Sequence, residues 1–273
     1  MEKVSICITH YNRPHHLIEC TKRINDKIRK NWENIEIVVS DDGSDKEFLK
    51  LAKKAEVDVF LEGNHVGGGS NLNRSIKAST GDYIIYNQDD FYIEKYDDFI
   101  PKCIKEFNNN DEIMFIRLYG FIHQIIGLFS DDIISYSNVI DKDIFFKNMP
   151  LKMGEYNESF CEIYRDFFAL GQNKWDQVDI YSDNPHIRPR YSFDKLGFYK
   201  EGSSMSISEG NYAMRFFESN YRCLFYGNLY RHQFGDSTNV MKTKEEIEAE
   251  NNHQLENLSN IYRLVKKYSD YKG

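Results

Sequence analysis

The sequence predicts an α/β fold, with a Rossmann-like, mostly parallel central sheet flanked by helices. Two observations lead to this prediction. Short apolar, β-branched runs alternate with segments of helical periodicity between residues 4 and 86. Several of these runs end in polar or acidic residues, as where residues 83–86 (YIIY) are followed by residues 87–90 (NQDD). Because right-handed crossovers align the ends of parallel strands, these polar residues are expected to meet at one sheet edge.

The first part of the chain reads as repeated strand–helix units. Pro14 is suited to the first turn of a helix that follows the first strand. The predicted strands are Val4–Thr9, Ile35–Val39, Val57–Leu61 and Tyr83–Tyr86, and the predicted helices are His15–Lys30, Asp45–Ala55 and Asn71–Ser79.

The second part has a weaker pattern. A strand is predicted within Ile113–Ile126, a helix at Gly210–Asn220 and another strand at Cys223–Tyr230. Residues 150–206 mix aromatic, proline and charged residues without a clear period, which predicts loops around a pocket. Lys242–Lys267 is predicted to be a polar helix with a thin apolar stripe.

Composition narrows the class of protein. The 273 residues are 41% hydrophobic, enough for one large domain or two packed subdomains. A formal net charge of −8 argues against a broad basic surface, so no nucleic-acid partner is expected.

Location is predicted from the cysteines and from apolar segment length. The five cysteines are widely spaced without a CxxC pair, which argues against a zinc site or a disulfide scaffold and suits a reducing cytoplasm. No signal-peptide pattern and no apolar run of membrane-spanning length is seen. A cytoplasmic protein is expected, either free or peripheral at the inner face of the plasma membrane.

The adjacent carboxylates of Asp89 and Asp90 are the first candidate site. Two neighbouring acids repel each other, and a hard divalent cation that also carries phosphate oxygens would hold them together. The alternative is a solvated strand end.

Two further motifs also allow two interpretations each. Asp41 and Asp42, followed by Gly43, could accept hydrogen bonds from a nucleobase or ribose, or could cap the next helix. The loop Gly67–Ser70 could bring backbone N–H groups to phosphates, or could be a flexible turn.

Together these segments resemble the family 2 glycosyltransferases, which have the GT-A fold. The order and spacing of the motifs agree with that family, strongly to about residue 100 and more weakly to about residue 240. The matching segments are Val4–Arg13, Glu36–Ser44, Asn64–Gly69 with Asn73, and Gly81–Tyr83 leading to Asp89 and Asp90.

The resemblance implies a nucleotide-diphosphate sugar donor, expected to be UDP-linked. Thr9 and Tyr11 would border the base and ribose, Asp42 would bind the base, and Asp41 would lie close by. The full set of expected donor-binding residues is Thr9, Tyr11, Asn12, Arg13, Asp41, Asp42, Gly68, Asn73, Asp89, Arg215 and Arg231.

The resemblance also implies a metal site for Mn²⁺ or Mg²⁺. Asp89 and Asp90 fall on the DxD-type motif of the family, and His232 is the expected third ligand. The sequence departs from the common motif because Asn87 replaces its first acid. The segment around Arg231 and His232 would reach the diphosphate or the metal, or would be a surface pair.

Glu209 is the expected catalytic base. In the family an aspartate six positions before an arginine takes the proton of the acceptor hydroxyl. Here Glu209 precedes Arg215 by that spacing, so a glutamate stands in place of the aspartate. One displacement would then invert the anomeric centre. The alternative is that Glu209 caps the helix that follows it.

These expectations define three regions and a function. Residues 1–110 would bind the nucleotide-sugar, residues 111–240 the acceptor, and residues 241–273 would form a helical extension. The chain would transfer a sugar to a glycan or lipid-linked acceptor in bacterial surface polysaccharide synthesis. The alternatives are a non-catalytic binding module of the same fold and a sugar nucleotidyltransferase. The C-terminal stripe suits packing on the core, a homodimer or contact with a membrane, and leaves these three open.

Overall fold

The computed structural model describes residues 2–119, 153–157, 159–163, 181, 183–203, 205–219, 221–227 and 229–233. In these ranges the strands are β1 Val4–His10, β2 Ile35–Asp41, β3 Val59–Leu61, β4 Tyr83–Gln88, β5 Phe91–Ile93, β6 Ile113–Arg117, β7 Met153–Asn157, β8 Phe160–Ile163, β9 His186–Pro189, β10 Arg222–Phe225 and β11 Tyr230–His232. The helices are α1 Pro14–Ile24, which continues as a π-helical turn Asn25–Arg29, α2 Lys46–Ala52, α3 Gly68–Ala78, α4 Phe99–Asn109, α5 Ser192–Leu196 and α6 Met205–Glu218.

Within the described ranges the central sheet has nine strands, in the order β3-β2-β1-β4-β9-β6-β10-β8-β7. β1 pairs in parallel with both β2 and β4, and β2 pairs in parallel with β3. β9 is antiparallel to its neighbours β4 and β6. The predicted mostly parallel α/β sheet is therefore confirmed, with β9 and β8 running against the direction of the other strands.

Alternating residues of the strands feed two hydrophobic cores, one on each face of the sheet. Ile6, Ile8 and Ile85 pack into one core with α1 and α4. Cys7 and Ile84 point the other way, into the core that contains residues of α3, α5 and α6. Because side chains in a strand alternate with period two, near-continuous apolar runs are what a sheet covered on both faces requires.

A second, two-stranded sheet pairs β5 with β11 in antiparallel fashion. The pairing places His232 opposite Phe91, directly after the acid pair Asp89 and Asp90. Strand β11, which is distant in sequence, is thereby brought next to the end of β4.

Some predicted boundaries are wrong. The single strand predicted at Cys223–Tyr230 is two strands in different sheets, β10 and β11, with Gly227 between them at φ 156°. The loops predicted for residues 150–206 contain strand β9 and helix α5. The predicted helix Lys242–Lys267 and residues 120–126 of the predicted strand region lie outside the described residues.

The predicted division at residues 110 and 240 stays a prediction. Strands from both of the first two regions share the nine-stranded sheet. Of the helices described, none combines the length and apolar character that crossing a membrane would require.

Candidate active site

The C-terminal ends of three parallel strands converge at one sheet edge, as the sequence predicted. His10 of β1 lies opposite Asp41 of β2, and Thr9 lies opposite Gln88 of β4. The chain stays in register just past these ends, because the Asp42 amide donates to the His10 carbonyl at 2.9 Å.

Asp89 lies fully buried beneath this edge. Its Oδ2 is 2.7 Å from Nδ1 of His10, and its Oδ1 forms an ion pair with the Arg13 guanidinium. His10 is itself buried, with Nε2 3.9 Å from Oδ1 of Asp41. Asp89 therefore belongs to a buried chain of alternating acidic and basic groups that joins the ends of β2 and β4.

Asp90 is the more accessible acid of the pair. Its Oδ2 is 2.5 Å from Nη1 of Arg13 and 3.3 Å from Nε2 of His232. Burial opposes ionisation, but the hydrogen bond from His232 and the charge of Arg13 outweigh it and lower the pKa of Asp90 to about 2. Asp90 is therefore a carboxylate across the physiological pH range.

The residues at Asp90 fit a hard divalent cation. Oδ1 of Asp90 is buried and has no hydrogen-bond partner among the described residues, so one carboxylate oxygen is open to a ligand. Carboxylate oxygens are the ligands that Mg²⁺ and Mn²⁺ prefer. Within the described ranges no three His, Cys, Asp or Glu side chains form a metal cluster by themselves. Oxygens of a bound diphosphate would have to complete the coordination.

At the end of β2 the two acids have different surroundings. Asp41 accepts the amides of Gly43 at 3.0 Å and Ser44 at 2.9 Å, which fixes the turn after the strand. Asp42 accepts the amides of Val66 at 3.1 Å and Gly67 at 3.3 Å. Asp42 thereby ties the glycine-rich loop to the sheet edge.

Three of the expected donor-binding residues follow or end β1. Thr9 Oγ1 lies 3.4 Å from the hydroxyl of Tyr86, and Tyr11 packs against His65 with ring centroids 4.8 Å apart. Asn12 has a left-handed backbone (φ 52°), and its Oδ1 accepts the Asp45 amide at 2.8 Å. These residues line the same edge as Asp42 and Asp90.

Glu209, the expected base, lies in α6 and faces a residue that the sequence analysis did not select. The Asp183 amide donates to Glu209 Oε1 at 2.8 Å. Burial, then the Glu209 charge and hydrogen bond, then the Asp90 charge raise the pKa of Asp183 well above its usual range. Glu209, Asp183 and Asp90 therefore share one electrostatic environment.

The only sequence signal near Asp183 is the dipeptide Asn184-Pro185 that follows it, a turn signature without catalytic information. Asp183 reaches Glu209 because β9 is inserted beside β4, a pairing between segments distant in the sequence.

Asn73 and Gly68 lie where α3 meets the segment that leads into α6. Asn73 is buried, its Oδ1 accepts the Tyr199 amide at 3.0 Å, and its Nδ2 donates to the Tyr199 carbonyl at 2.9 Å. A Cβ on Gly68 would come within 2.8 Å of Met205. In this structure both residues make contacts that position α6.

Arg215 and Arg231 lie away from the acid pair. Arg215 Nη2 donates to the Phe198 carbonyl at 2.7 Å, and Nη1 donates to the Leu196 carbonyl. Arg231 is exposed and pairs with Glu94 at 3.1 Å. The structure thus gathers the predicted residues at the ends of β1, β2 and β4 with His232 of β11, while the side chains of Arg215 and Arg231 make other contacts.

The fold and the site define a class of α/β protein whose parallel strand ends bring acidic and basic side chains together at one sheet edge. Comparison with known proteins identifies the family. The family model for Glycosyl transferase family 2 matches residues 5–168, and the chain belongs to that family. The predicted resemblance is confirmed, and the chain is a glycosyltransferase by family.

Two similar curated proteins are bacterial glycosyltransferases. Glycosyltransferase GlyA of Streptococcus pneumoniae is 24% identical over 155 residues, covering 54% of this chain and 22% of that protein. Amylovoran biosynthesis glycosyltransferase AmsB of Erwinia amylovora is 25% identical over 213 residues, covering 71% of this chain and 64% of that protein. The chain thus spans less than two thirds of the length of each.

Solved structures confirm the GT-A fold. The mannosyltransferase PcManGT from Pyrobaculum calidifontis, in complex with GDP-Man and Mn²⁺, has a TM-score of 0.53 at 11% identity, covering 84% of this chain and 57% of that one. TarS 1–349 of S. aureus, in complex with UDP-GlcNAc, has a TM-score of 0.53 at 13% identity, covering 95% of this chain and 66% of that one.

Proposed function

We propose that this chain is an inverting, metal-dependent glycosyltransferase that moves a hexosyl group from a UDP-linked donor to a hydroxyl of a glycan or lipid-linked acceptor. The observation that carries the proposal is the shared environment of Asp90 at the end of β4 and Glu209 on α6, joined through Asp183. In this proposal Asp90 binds the donor diphosphate through a cation, Glu209 accepts the proton, and Asp183 interacts with both.

The donor end of the cleft is the carboxyl edge of β1, β2 and β4. Asp42 is buried, and its carboxylate already accepts hydrogen bonds from two backbone amides. It is therefore a suitable acceptor for an N–H group of a nucleobase. Tyr11 and His65 present a pair of packed rings beside it, a surface on which a base can stack. We place the nucleoside of the donor beside Asp42, Tyr11 and His65, with its diphosphate directed toward Asp90.

Asp90 and His232 would hold a divalent cation together with the donor diphosphate. When bound, Mn²⁺ or Mg²⁺ supplies a Lewis acid that stabilises the charge developing on the leaving diphosphate. Arg13 already lies within ion-pair distance of Asp90 and adds a second positive group at the same place.

Glu209 provides the base. Its carboxylate takes the proton of the acceptor hydroxyl as that oxygen attacks the anomeric carbon. The burial of Glu209 is intermediate, so the carboxylate can be reached from the cleft while Asp183 holds it in place. Attack from the face opposite the leaving diphosphate inverts the anomeric centre.

The setting proposed for this reaction is the synthesis of bacterial surface polysaccharide, in the cytoplasm or peripherally at the inner face of the plasma membrane. The similarity to AmsB, an amylovoran biosynthesis glycosyltransferase, supports the polysaccharide setting. The donors bound to PcManGT and TarS support a nucleotide-sugar partner.

The test is a screen of nucleotide-sugars for hydrolysis or transfer with Mn²⁺, repeated with Asp90→Asn and Glu209→Gln proteins. One sugar is expected to be turned over, and both variants should lose about 100-fold or more of kcat, the scale of general-base and metal contributions. Asp194→Asn, an exposed acid on α5, is the matched control and should keep full activity. Unchanged turnover in both site variants would refute the assignment.

A further inference from the structure

The loop that carries His65 is fixed against the end of β2. The amides of Val66 and Gly67 donate to the two carboxylate oxygens of Asp42 at 3.1 and 3.3 Å. Gly43 packs directly on the loop, because a Cβ added to it would come within 2.6 Å of the His65 amide nitrogen. The backbone at His65 is therefore held at the sheet edge, whatever its side chain does.

The side chain of His65 makes two contacts at this edge. Its ring packs on the ring of Tyr11, with centroids 4.8 Å apart and an angle of 36° between the planes. Its Nδ1 lies 3.3 Å from the Asp42 carbonyl oxygen and 3.4 Å from Oδ2 of Asp42. Because both of these oxygens are acceptors, Nδ1 is the nitrogen that carries a proton and donates. A flat ring on Tyr11 with an N–H directed at Asp42 is also how a nucleobase such as uracil would bind.

We propose that His65 takes the place of the nucleobase on Tyr11 and Asp42, and that the donor displaces the imidazole when it binds. The inference rests on the proposed function, which places the donor nucleoside at this edge. His65 would thereby lower the affinity for a nucleotide without contacting its diphosphate.

A base could instead stack on the outer face of His65 and leave the imidazole in place. In that arrangement Nδ1 of His65 would stay against Asp42, and the base would lose that carboxylate as an acceptor. Asp42 is buried, and an ionised acceptor forms a stronger hydrogen bond with an N–H group than a neutral one does. Displacement gives the base both the Tyr11 ring and the carboxylate, whereas stacking on His65 gives it neither.

The imidazole of His65 is held weakly enough to be displaced. Its side chain is 67% exposed, against 8% for the side chain of Asp42. Its two Nδ1 distances lie beyond the usual range for an N–H donor and an oxygen. Since the loop is fixed by the amides of Val66 and Gly67, the ring can rotate away while the backbone stays in place.

The cost of displacement sets the size of the effect. When the binding-competent arrangement is only part of the population, the apparent Kd rises in inverse proportion to that part. A pair of packed rings with one long hydrogen bond corresponds to a factor of about 2 to 10. Pyrophosphate has no base and would bind with the cation at Asp90, so its affinity should not depend on His65.

Isothermal titration with UDP in the presence of Mn²⁺ tests the displacement. His65→Ala should bind UDP about 2- to 10-fold more tightly than the unaltered protein. His65→Phe keeps a ring on Tyr11 but has no N–H for Asp42, so its Kd should lie between the two. Pyrophosphate with Mn²⁺ should bind all three proteins equally. Phe198→Ala is the matched control, because it removes another exposed ring, stacked on Phe193 at 5.3 Å, and it should leave the Kd for UDP unchanged.

The opposite results separate this inference from the proposed function. Weaker binding of UDP by His65→Ala would show that the base stacks on His65, and an equal Kd would show that His65 does not compete with the base. Either result overturns the displacement and keeps the donor site. Tighter binding of pyrophosphate by His65→Ala would also overturn it, because no base is involved. If none of the proteins binds UDP, the proposed donor site is refuted and the inference with it.

Discussion

At the scale of single residues, Arg13 holds together a site that would otherwise repel itself. Its guanidinium pairs with both Asp89 and Asp90, and its side chain is 15% exposed against 0% for Asp89. A buried ion pair adds little to folding stability compared with apolar side chains of similar size. Removing one partner, however, leaves a buried charge without compensation. The Arg13 guanidinium is therefore needed to neutralise Asp89 and Asp90, whatever ligand these acids bind.

Arg13→Met should lower the free energy of unfolding by roughly 3–5 kcal/mol, because Asp89 would keep only His10 as a partner. Urea denaturation at pH 7 measures this loss. The matched control is Arg29→Met, which removes a partly exposed ion pair with Asp58 and should cost less than about 1 kcal/mol. Equal losses in the two variants would show that the buried pair has no special role.

Glu36 is a buried acid at the opposite end of the same strands. Burial would raise its pKa, but hydrogen bonds from Ser5 at 2.6 Å, the Thr80 amide at 2.7 Å and Lys3 at 3.0 Å lower it to about 2. A lowered folded-state pKa contributes stability above the unfolded value of 4.5 and loses it as pH falls toward 2.

Glu36→Gln should therefore lower the free energy of unfolding by roughly 2 kcal/mol at pH 7, with the difference from the unaltered protein shrinking below about pH 4.5. Urea denaturation at pH 7 and at pH 3 measures it. Glu62→Gln, whose side chain is 53% exposed, should change stability little at either pH. A difference that does not depend on pH would mean that shape, and not charge, explains the effect.

At the scale of elements, the position of α6 depends on its close approach to α3. A Cβ on Gly69 would lie 2.3 Å from the Lys200 carbonyl oxygen and 2.3 Å from Ser208 Oγ. Ser208 immediately precedes Glu209, so the glycine lets α3 support the helix that carries the proposed base.

Gly69→Ala tests this approach. Alanine normally stabilises a helix by about 1 kcal/mol relative to glycine, so a loss of about 1–3 kcal/mol in unfolding free energy would report the collision. Donor turnover should fall with it, because Glu209 moves. Gly202→Ala is the control: among the described residues nothing comes within 4 Å of a Cβ added there, and its φ of 68° is what opposes the change. Stabilisation by Gly69→Ala would contradict the packing argument.

How much of the site can be predicted from the sequence depends on how far apart the contacting residues are along the chain. Asp42 and Asp90 follow strands directly, and the crossover rule alone places them together. Asp183 has no such local signal, since it meets Glu209 only through the antiparallel insertion of β9. Asn73 is the opposite case. Its motif predicts a contact with the donor, but its side chain is hydrogen-bonded to the backbone of Tyr199. Pairing between distant segments is the information that periodicity and motif spacing lack.

At the scale of the whole molecule, both cores support one edge of the sheet. The core with α1 and α4 lies under one face of the strands and the core with α3, α5 and α6 under the other. The proposed donor site lies at the strand ends and the proposed base lies on α6. Ligand binding at this edge should therefore stabilise the folded state as a whole, because nucleotide and metal bind residues that unfolding would separate.

Thermal shift with UDP and Mn²⁺ measures that linkage without requiring turnover. At about 100 times its Kd, a ligand that binds only the folded state adds about 2.7 kcal/mol of stability. UDP with Mn²⁺ should raise Tm more than UDP with EDTA, because the cation joins the diphosphate to the open Oδ1 of Asp90. Asp90→Asn should lose the Mn²⁺-dependent increment, and Asp194→Asn should keep it. An increment that survives in Asp90→Asn would place the cation elsewhere, and no response to any nucleotide would remove the donor site from this edge.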